Sequence, residues 1–326
     1  MDLKGKRILF ICPNFHGYEK MIEDQLIELG GVVDFFPERS YGLDFTIVNN
    51  FFNRFLKNYQ QLYYSRIENA IEAKHYDYLF VIRGFMLPLS FLQFFKKRNP
   101  KSYTIMYQWD SERTNPYGHL VEYFDVVKTF DYKDSEDFNI SYLPLFYTKD
   151  LEKFRSLKKS NEFDFFFMGF FFEERYEAVL KFKIYCEQKG YKLKPFLYMP
   201  PTTRIKYFLK AKKLDRSIVS FKHMDRITYL KTLSNSRVMV DVSNSQQTGL
   251  AMRVIEALAC GTKVLTNNTY VNQDDIIKNS RLISVIDMDN ITIDETVFNE
   301  SNANRGPIVH SLKEWAIKVF INIDES

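Results

Sequence analysis

Between Ser245 and Asn268 the chain reads SQQTGLAMRVIEALACGTKVLTNN, which sets a glycine-opened helix, an internal carboxylate and a following strand in a phosphate-binding order. Ahead of it, Arg237 to Val242 (RVMVDV) is an apolar, β-branched run of the length of a covered parallel strand. A helix is expected from Gly249 to Cys260. Its N-terminus would offer free backbone N–H groups and a partial positive charge, which suit a diphosphate. Gln247, Thr248 and Gly249 would frame that anion. Glu256 falls two turns after Gly249, so its carboxylate could face the same side and accept two ribose hydroxyl protons. After Gly261 the chain re-enters a strand, Lys263 to Thr266. An ordinary βαβ unit with a core-facing helix is the plainer reading of the same pattern.

Other residues could meet a diphosphate. Arg175 follows Gly169 by six residues, after the strand Phe163 to Met168, and Arg253 lies one turn into the helix expected from Gly249. Either guanidinium could meet phosphate, or form a surface ion pair with Glu173, Glu174 or Glu177. His223, ahead of Asp225 at a strand-to-helix junction, suits either a contact to a bound sugar or phosphate or a capping role. In open parallel sheets ligands bind beyond the carboxyl ends of strands. In the first half this singles out Asn14, His16, Gly17 and Glu19, then Arg83 and Gly84, then Asp110, Ser111, Glu112 and Arg113. If a hydroxyl must be deprotonated there, Asp110 or His16 is the base.

Metal chemistry has little support. Asp287-Met288-Asp289 has metal-motif spacing but reads as a loop, and the five histidines form no ligand cluster. There is no P-loop, GxGxxG or GxSxG pattern. No metal and no cofactor are expected.

The 245–268 stretch resembles the donor half of two-domain glycosyltransferases of the GT-B architecture. Retaining members of that group carry a Glu, seven residues, a second Glu, and then an Ala-Cys-Gly-Thr-like turn. Here Glu256 and Ala259-Cys260-Gly261-Thr262 match, whereas the first Glu position is Thr248. QTGLAMRVIEALACGTK, with Trp109-Asp110-Ser111, Ile82-Arg83-Gly84 and Asp164 to Tyr176, is similar to bacterial glycosyltransferases of lipopolysaccharide-core, capsule and CgeB-like groups. The resemblance implies an α/β fold with two Rossmann-like domains whose parallel sheets face across a cleft. It also implies a nucleotide-sugar donor in the C-terminal domain and a glycan or glycolipid acceptor in the N-terminal domain, placing Asn14, Glu19 and Arg83 on the acceptor side. Thr248 at the first Glu position tilts the expected outcome toward inversion. A nucleotide-sugar 2-epimerase of the same fold and a non-catalytic CgeB-like binding protein are the rivals.

The elements that must position these groups are legible in the alternation of apolar runs. Strands are expected at Arg7 to Ile11, Val32 to Phe36, Tyr78 to Ile82, Tyr103 to Gln108, Val126 to Phe130 and Ile140 to Leu143. Gly17 to Leu29 reads as a helix, Phe45 to Ala73 as one long helical stretch, and Pro88 to Lys97 as another. Phe51, Phe52, Phe55, Tyr59, Leu62 and Tyr63 recur near helical spacing, as a core or interdomain face would. Pro144 to Ser160 loses periodicity, which puts the domains at 1–155 and 156–326. The second half repeats the alternation, with helices Glu173 to Lys189, Thr202 to Lys212 and Arg226 to Ser234, strands Lys192 to Leu197 and Ile218 to Phe221, and a terminal helix from Ser311 to Ile321. The resemblance implies that this last helix crosses back to the first domain. Phe170 to Phe172 would be core, or would stack on a nucleobase.

At 326 residues the chain can hold two cores, and 45% of it is apolar. The 45 basic and 41 acidic residues are too balanced to require nucleic acid. Two local clusters, Lys96-Lys97-Arg98 with Lys101 and Arg204, Lys206, Lys210, Lys212, Lys213 and Arg216, suit anionic lipid, a phosphate-bearing acceptor, or simply a solvated helix face. Three separated cysteines give no disulfide framework and fit a reducing cytoplasm. Ile8 to Cys12 is too short for a signal-peptide core and no run of ~18 apolar residues occurs. A cytoplasmic protein, at most peripheral at the inner membrane, is expected.

Overall fold

The computed structural model describes residues 3–155, 160–209, 213–299 and 308–321. Two compact units divide the chain, one of Met1–Pro144 with Leu312–Ser326, the other Leu145–Ser311.

In the first unit six strands form one parallel sheet: β1 (Arg7–Cys12), β2 (Val32–Pro37), β3 (Tyr78–Ile82), β4 (Tyr103–Gln108), β5 (Val126–Thr129) and β6 (Ser141–Tyr142), in the order β2-β1-β3-β4-β5-β6. The inner strands are buried on both faces, which is why they read as unbroken apolar runs. Helices α1 (Tyr18–Glu28), α2 (Leu43–Phe51), α3 (Leu56–Ile71), α4 (Leu89–Arg98) and α5 (Tyr132–Phe138) make the crossovers. The long helical stretch expected from Phe45 is broken, because Phe52 (φ −131°, ψ 41°) leaves the helical region between α2 and α3. Its inward residues are Phe45, Leu56, Gln60, Tyr64, Ile67 and Ile71. Phe51, Phe52, Phe55 and Leu62 are exposed, not part of a core.

The second unit repeats the plan with β7 (Phe163–Phe170), β8 (Leu193–Tyr198), β9 (Val219–Ser220), β10 (Ser236–Asp241), β11 (Lys263–Thr266) and β12 (Ile283–Val285), all parallel, in the order β12-β11-β10-β7-β8-β9. Its helices are α6 (Glu152–Arg155), α7 (Glu173–Lys189), α8 (Pro201–Leu209), α9 (Arg226–Ser234), α10 (Met252–Ala259) and α11 (Asp275–Asn279). Asp225 caps α9, its carboxylate accepting from the Thr228 amide at 2.9 Å. Lys210 and Lys212, expected to end α8 and extend its basic cluster, lie outside the described residues.

The terminal helix α12 (Leu312–Phe320) belongs to the first unit. It buries Leu312, Trp315, Ala316, Val319 and Phe320, a 3.6-residue stripe. The Trp315 ring lies edge-on to Tyr107 at 4.8 Å, and Phe320 meets Tyr78 and Phe80. Buried Lys128 donates from Nζ to the Lys318 carbonyl at 2.5 Å, a cation placed at the negative end of the helix.

Candidate functional site

Strand order fixes where a ligand crevice can form. In the second unit the first strand of the series, β7, lies beside the fourth, β10, so successive crossovers leave in opposite directions there. The carboxyl ends of these two strands form the topological switch point. Arg175, in the first turn of α7, spans it. Its Nη1 donates to the Phe170 carbonyl at the end of β7 and its Nε to the Val242 carbonyl just past β10, both at 3.0 Å. Arg253 reaches the same point from α10, donating from Nη2 to Val242 O at 3.1 Å and from Nε to Asp241 Oδ1 at 2.7 Å.

Asp241 is fully buried, and the parallel register sets it opposite Thr266, whose hydroxyl donates to Oδ2 at 2.6 Å. Ser243 Oγ donates to the same oxygen at 2.7 Å. Burial alone would raise this carboxyl; Arg253, the two hydroxyls and Arg175 outweigh it and hold it below its ordinary value. The cluster therefore sets two guanidiniums against one carboxylate. Burial and the nearby Arg253 pull Arg175 down to about 9. Neither arginine makes the surface ion pair that was its plainer reading. Gly169 belongs to the same construction, because a Cβ there would stand 3.3 Å from the Phe167 ring and 3.4 Å from Arg175 Nη1.

The turn at residues 247–251 departs from expectation. α10 starts at Met252, not Gly249, with Ala251 extended ahead of it. The Thr248 carbonyl is held by Asn268 Nδ2 at 2.6 Å and Leu250 is buried, so residues 248–251 form an anchored loop ahead of the helix. Gln247 turns its side-chain amide onto the Gly249 carbonyl at 3.3 Å. Glu256 thus sits one turn into the helix, one turn from Arg253. It is 2% exposed, and Arg226 Nη1 donates to its Oε1 at 2.5 Å. The same guanidinium binds Asp150 through Nε at 2.9 Å and the Thr148 hydroxyl through Nη2 at 2.9 Å. Burial would raise Asp150, but Arg226 and Thr148 bring it below its ordinary value.

Beyond β8 and β9, the His223 ring stacks on Tyr198 at 3.6 Å, and both face the Phe170 ring. The Phe170–Phe172 run divides: Phe171 is buried, while Phe170 and Phe172 are exposed, with the Arg175 guanidinium 5.0 Å from the Phe172 ring. The structure thus links Gly169, Arg175 and Arg253 directly, Glu256 through its helix, and His223 through Phe170. Asp241, Arg226 and Tyr198 escaped the sequence reading. Asp241 carried a signal, a carboxylate ending an otherwise apolar strand.

In the first unit the switch point lies between β1 and β3. Arg83, just past β3, has a left-handed φ of 68°, as does Gly84 at 69°. Its guanidinium is gripped by the fully buried carboxylate of Glu38, which follows β2, with Nε to Oε2 at 3.1 Å and a second bond from Nη2 to Oε1. Nη1 reaches Asp110 Oδ2 at 3.3 Å. Glu38 was not singled out because it reads as an ordinary charge after a proline. His16 also has positive φ, 54°, and is exposed beside Phe15, whose ring packs against Trp109 at 5.9 Å. The loops bearing His16 and Asp110 therefore meet. Glu19 is a local cap, accepting from the Phe15 amide at 2.8 Å, and the Asn14 amide donates to the Tyr41 hydroxyl at 2.8 Å.

Among the described residues no three His, Cys, Asp or Glu side chains group to hold a metal ion. In the Asp287–Asp289 loop, Asp289 pairs with Lys181 at 2.5 Å. Members of both basic clusters are engaged: Lys96 pairs with Asp125 at 3.0 Å, and Arg204 and Arg216 lie over the Phe221 ring.

No protein-family model matches the chain, and no curated protein matches its sequence. Solved structures do match. The apo structure of OtsA aligns with 98% of this chain and 99% of its own at 13% identity and a TM-score of 0.65. MnaA of S. aureus, solved with UDP, aligns over 98% and 97% at 10% identity and 0.54. A UDP-N-acetylglucosamine 2-epimerase aligns over 99% and 98% at 10% identity and 0.50. With two six-stranded parallel Rossmann-like sheets in one chain, these likenesses define a protein of the GT-B fold class. No helix among the described residues is long and apolar enough to cross a membrane.

Proposed function

We propose that this protein is a glycosyltransferase that moves a sugar from a nucleotide-sugar donor to a glycan or glycolipid acceptor in surface-polysaccharide assembly. The observation that carries the proposal is Arg175 spanning the β7–β10 switch point beside Arg253, with Asp241 the carboxylate bonded within this pair. A buried excess of positive charge at the mouth of a Rossmann-like crevice calls for an anion, and a donor diphosphate supplies it. The Phe170, Tyr198 and His223 rings offer an aromatic face for the base, and Glu256 a carboxylate for the ribose. UDP bound to MnaA, a protein of the same fold, supports a nucleotide ligand.

In this reading Asp110 takes the proton of the acceptor hydroxyl while that oxygen bonds to the anomeric carbon. The bond from that carbon to the diphosphate breaks with inversion, and the two arginines meet the charge that develops on the leaving group. The guanidiniums need no reorganisation during the reaction, since carbonyls and Asp241 already fix them.

The test is calorimetry with UDP, GDP, CMP, ADP and their common sugar conjugates, followed by a release assay with the donor that binds. Nucleotide release that depends on an added acceptor supports transfer. Conversion of the sugar with the nucleotide still attached would make the protein an epimerase. Saturable binding without turnover would make it a binding module.

A further inference from the structure

The first unit carries an apolar stripe on its outer surface. Leu43, Ile47 and Phe51 follow one another at four-residue steps along α2, so they share one face of the helix. They are 82%, 50% and 77% exposed, while Phe45 alone turns α2 inward. Phe52 and Phe55, in the turn into α3, are exposed as well. Scattered exposed apolar residues are ordinary, but five large exposed side chains within thirteen positions, three of them on one helix face, are a concentration of the kind that marks an interaction surface.

The charges around the stripe select its partner. From Phe45 to Ile67 the sequence contains no Asp or Glu, and its charged residues are Arg54, Lys57 and Arg66, all exposed. Asp44, the acid next to this stretch, is occupied by the Tyr59 hydroxyl and Ser40. The Arg54 guanidinium lies 4.7 Å from the Phe55 ring, a cation at the edge of the apolar face. Aromatic and aliphatic side chains rimmed by basic residues, on a helix lying along the surface, are the physical signature of an interfacial segment on anionic lipid. Self-association through this face would bring Arg54, Lys57 and Arg66 against their own copies, which disfavours a second chain as the occupant.

We infer that α2 and the turn after it dock the protein on an anionic lipid surface. Leu43, Ile47 and Phe51 enter the headgroup–acyl boundary, and Arg54 and Lys57 face lipid phosphates. The inference stands on this surface alone and is independent of the proposed transfer reaction.

Flotation of the full chain with vesicles of phosphatidylglycerol mixed with phosphatidylcholine, against vesicles of phosphatidylcholine alone, tests it. Binding is expected to the anionic vesicles and to weaken with salt. It should fall by about tenfold or more in the Leu43→Ser/Ile47→Ser/Phe51→Ser variant, and similarly in Arg54→Glu/Lys57→Glu. A Phe51→Trp variant keeps the test independent of the fate of the triple variant. Its added fluorescence should shift to the blue with anionic vesicles and be quenched by brominated acyl chains. Wild-type protein that stays unbound to both vesicles, a triple variant that binds as well as wild type, or an added indole emission that vesicles leave unchanged would each overturn the inference. A concentration-dependent dimer that the triple variant abolishes, without vesicle binding, would overturn it in favour of a second copy.

Discussion

Arg175 and Arg253 donate to one carbonyl oxygen, that of Val242, from 3.0 and 3.1 Å, although they lie on different helices. Two like charges converge on one buried acceptor, and Asp241 bonds Arg253 directly. Such an arrangement is costly unless an anion completes it.

Removing one guanidinium tests this. Burial and Arg253 pull Arg175 below its ordinary value against the pull of Asp241, yet a guanidinium stays charged through neutral pH. If it meets a diphosphate, Arg175→Met should weaken nucleotide binding by about tenfold or more, because charge-assisted bonds to phosphate are lost. Calorimetry with the nucleotide measures the loss, and unchanged affinity in the folded variant would remove Arg175 from the anion site.

Acid stability reports on Asp241. Its native value lies below 3.8, so its contribution is present above that value and lost as pH falls through the lower native one. In Arg253→Met the carboxylate loses its direct partner and burial prevails, raising the native value. The sign then reverses: the contribution is present at low pH and lost as pH rises through the raised value. Breaking a buried pair of this kind costs about 3–5 kcal/mol at neutral pH. Thermal melts across pH should show wild type losing stability on acidification and the variant recovering part of its deficit. Parallel curves would mean that Asp241 is not the group responsible.

Glu256 has two candidate roles, and its grip by Arg226 at 2.5 Å makes them separable. If the carboxylate also holds the ribose, Glu256→Ala lowers donor affinity by about tenfold or more, because a charge-assisted bond to the ligand is lost along with the pair to Arg226. Arg226→Met should then lower the melting temperature with a smaller effect on affinity. Identical losses of stability in both variants, with nucleotide affinity untouched, would leave Glu256 only as the partner of Arg226.

What the sequence made legible was what local pattern controls. Val238 to Val240 announces a covered strand because both its faces are buried, and Asp225 announces a helix start because its carboxylate caps the first turn. The start of α10 was misplaced because Gly249 looks like an opening residue. A tertiary bond from Asn268 to Thr248 and the burial of Leu250 hold the chain out of the helix as far as Ala251. Arg226 and Glu38 were missed for a related reason. Each acquires its meaning from a partner 30 or 45 residues away, which no local pattern encodes.

The terminal helix offers a test of the first unit alone. Trp315 is fully buried against Tyr107 and Phe80, so Trp315→Ala should cost about 3–5 kcal/mol. Removing Lys128 as Lys128→Met takes away the cation on the Lys318 carbonyl but leaves an apolar chain in an apolar place, so its cost should be smaller, about 1–2 kcal/mol. Denaturant melts of the two variants give the comparison. Equal losses would shift the weight from the aromatic stripe to the capping lysine.

In the proposed transfer the acceptor hydroxyl is activated by Asp110. Its carboxylate is held by Arg83, and Arg83 is in turn fixed by the buried Glu38. If Asp110 is the general base, Asp110→Asn should lower kcat by about 10²–10⁴-fold with donor affinity unchanged, since the amide keeps the shape and loses the basicity. Glu38→Gln should act through position: it weakens the grip on Arg83, lets Asp110 drift, and raises KM for the acceptor along with a partial fall in kcat. The split between kcat and KM separates the roles: the loss falls on kcat in Asp110→Asn, whereas Glu38→Gln also moves the acceptor KM. A kcat in Asp110→Asn within a few-fold of wild type would transfer the base assignment to His16, whose loop packs against the Trp109 ring through Phe15.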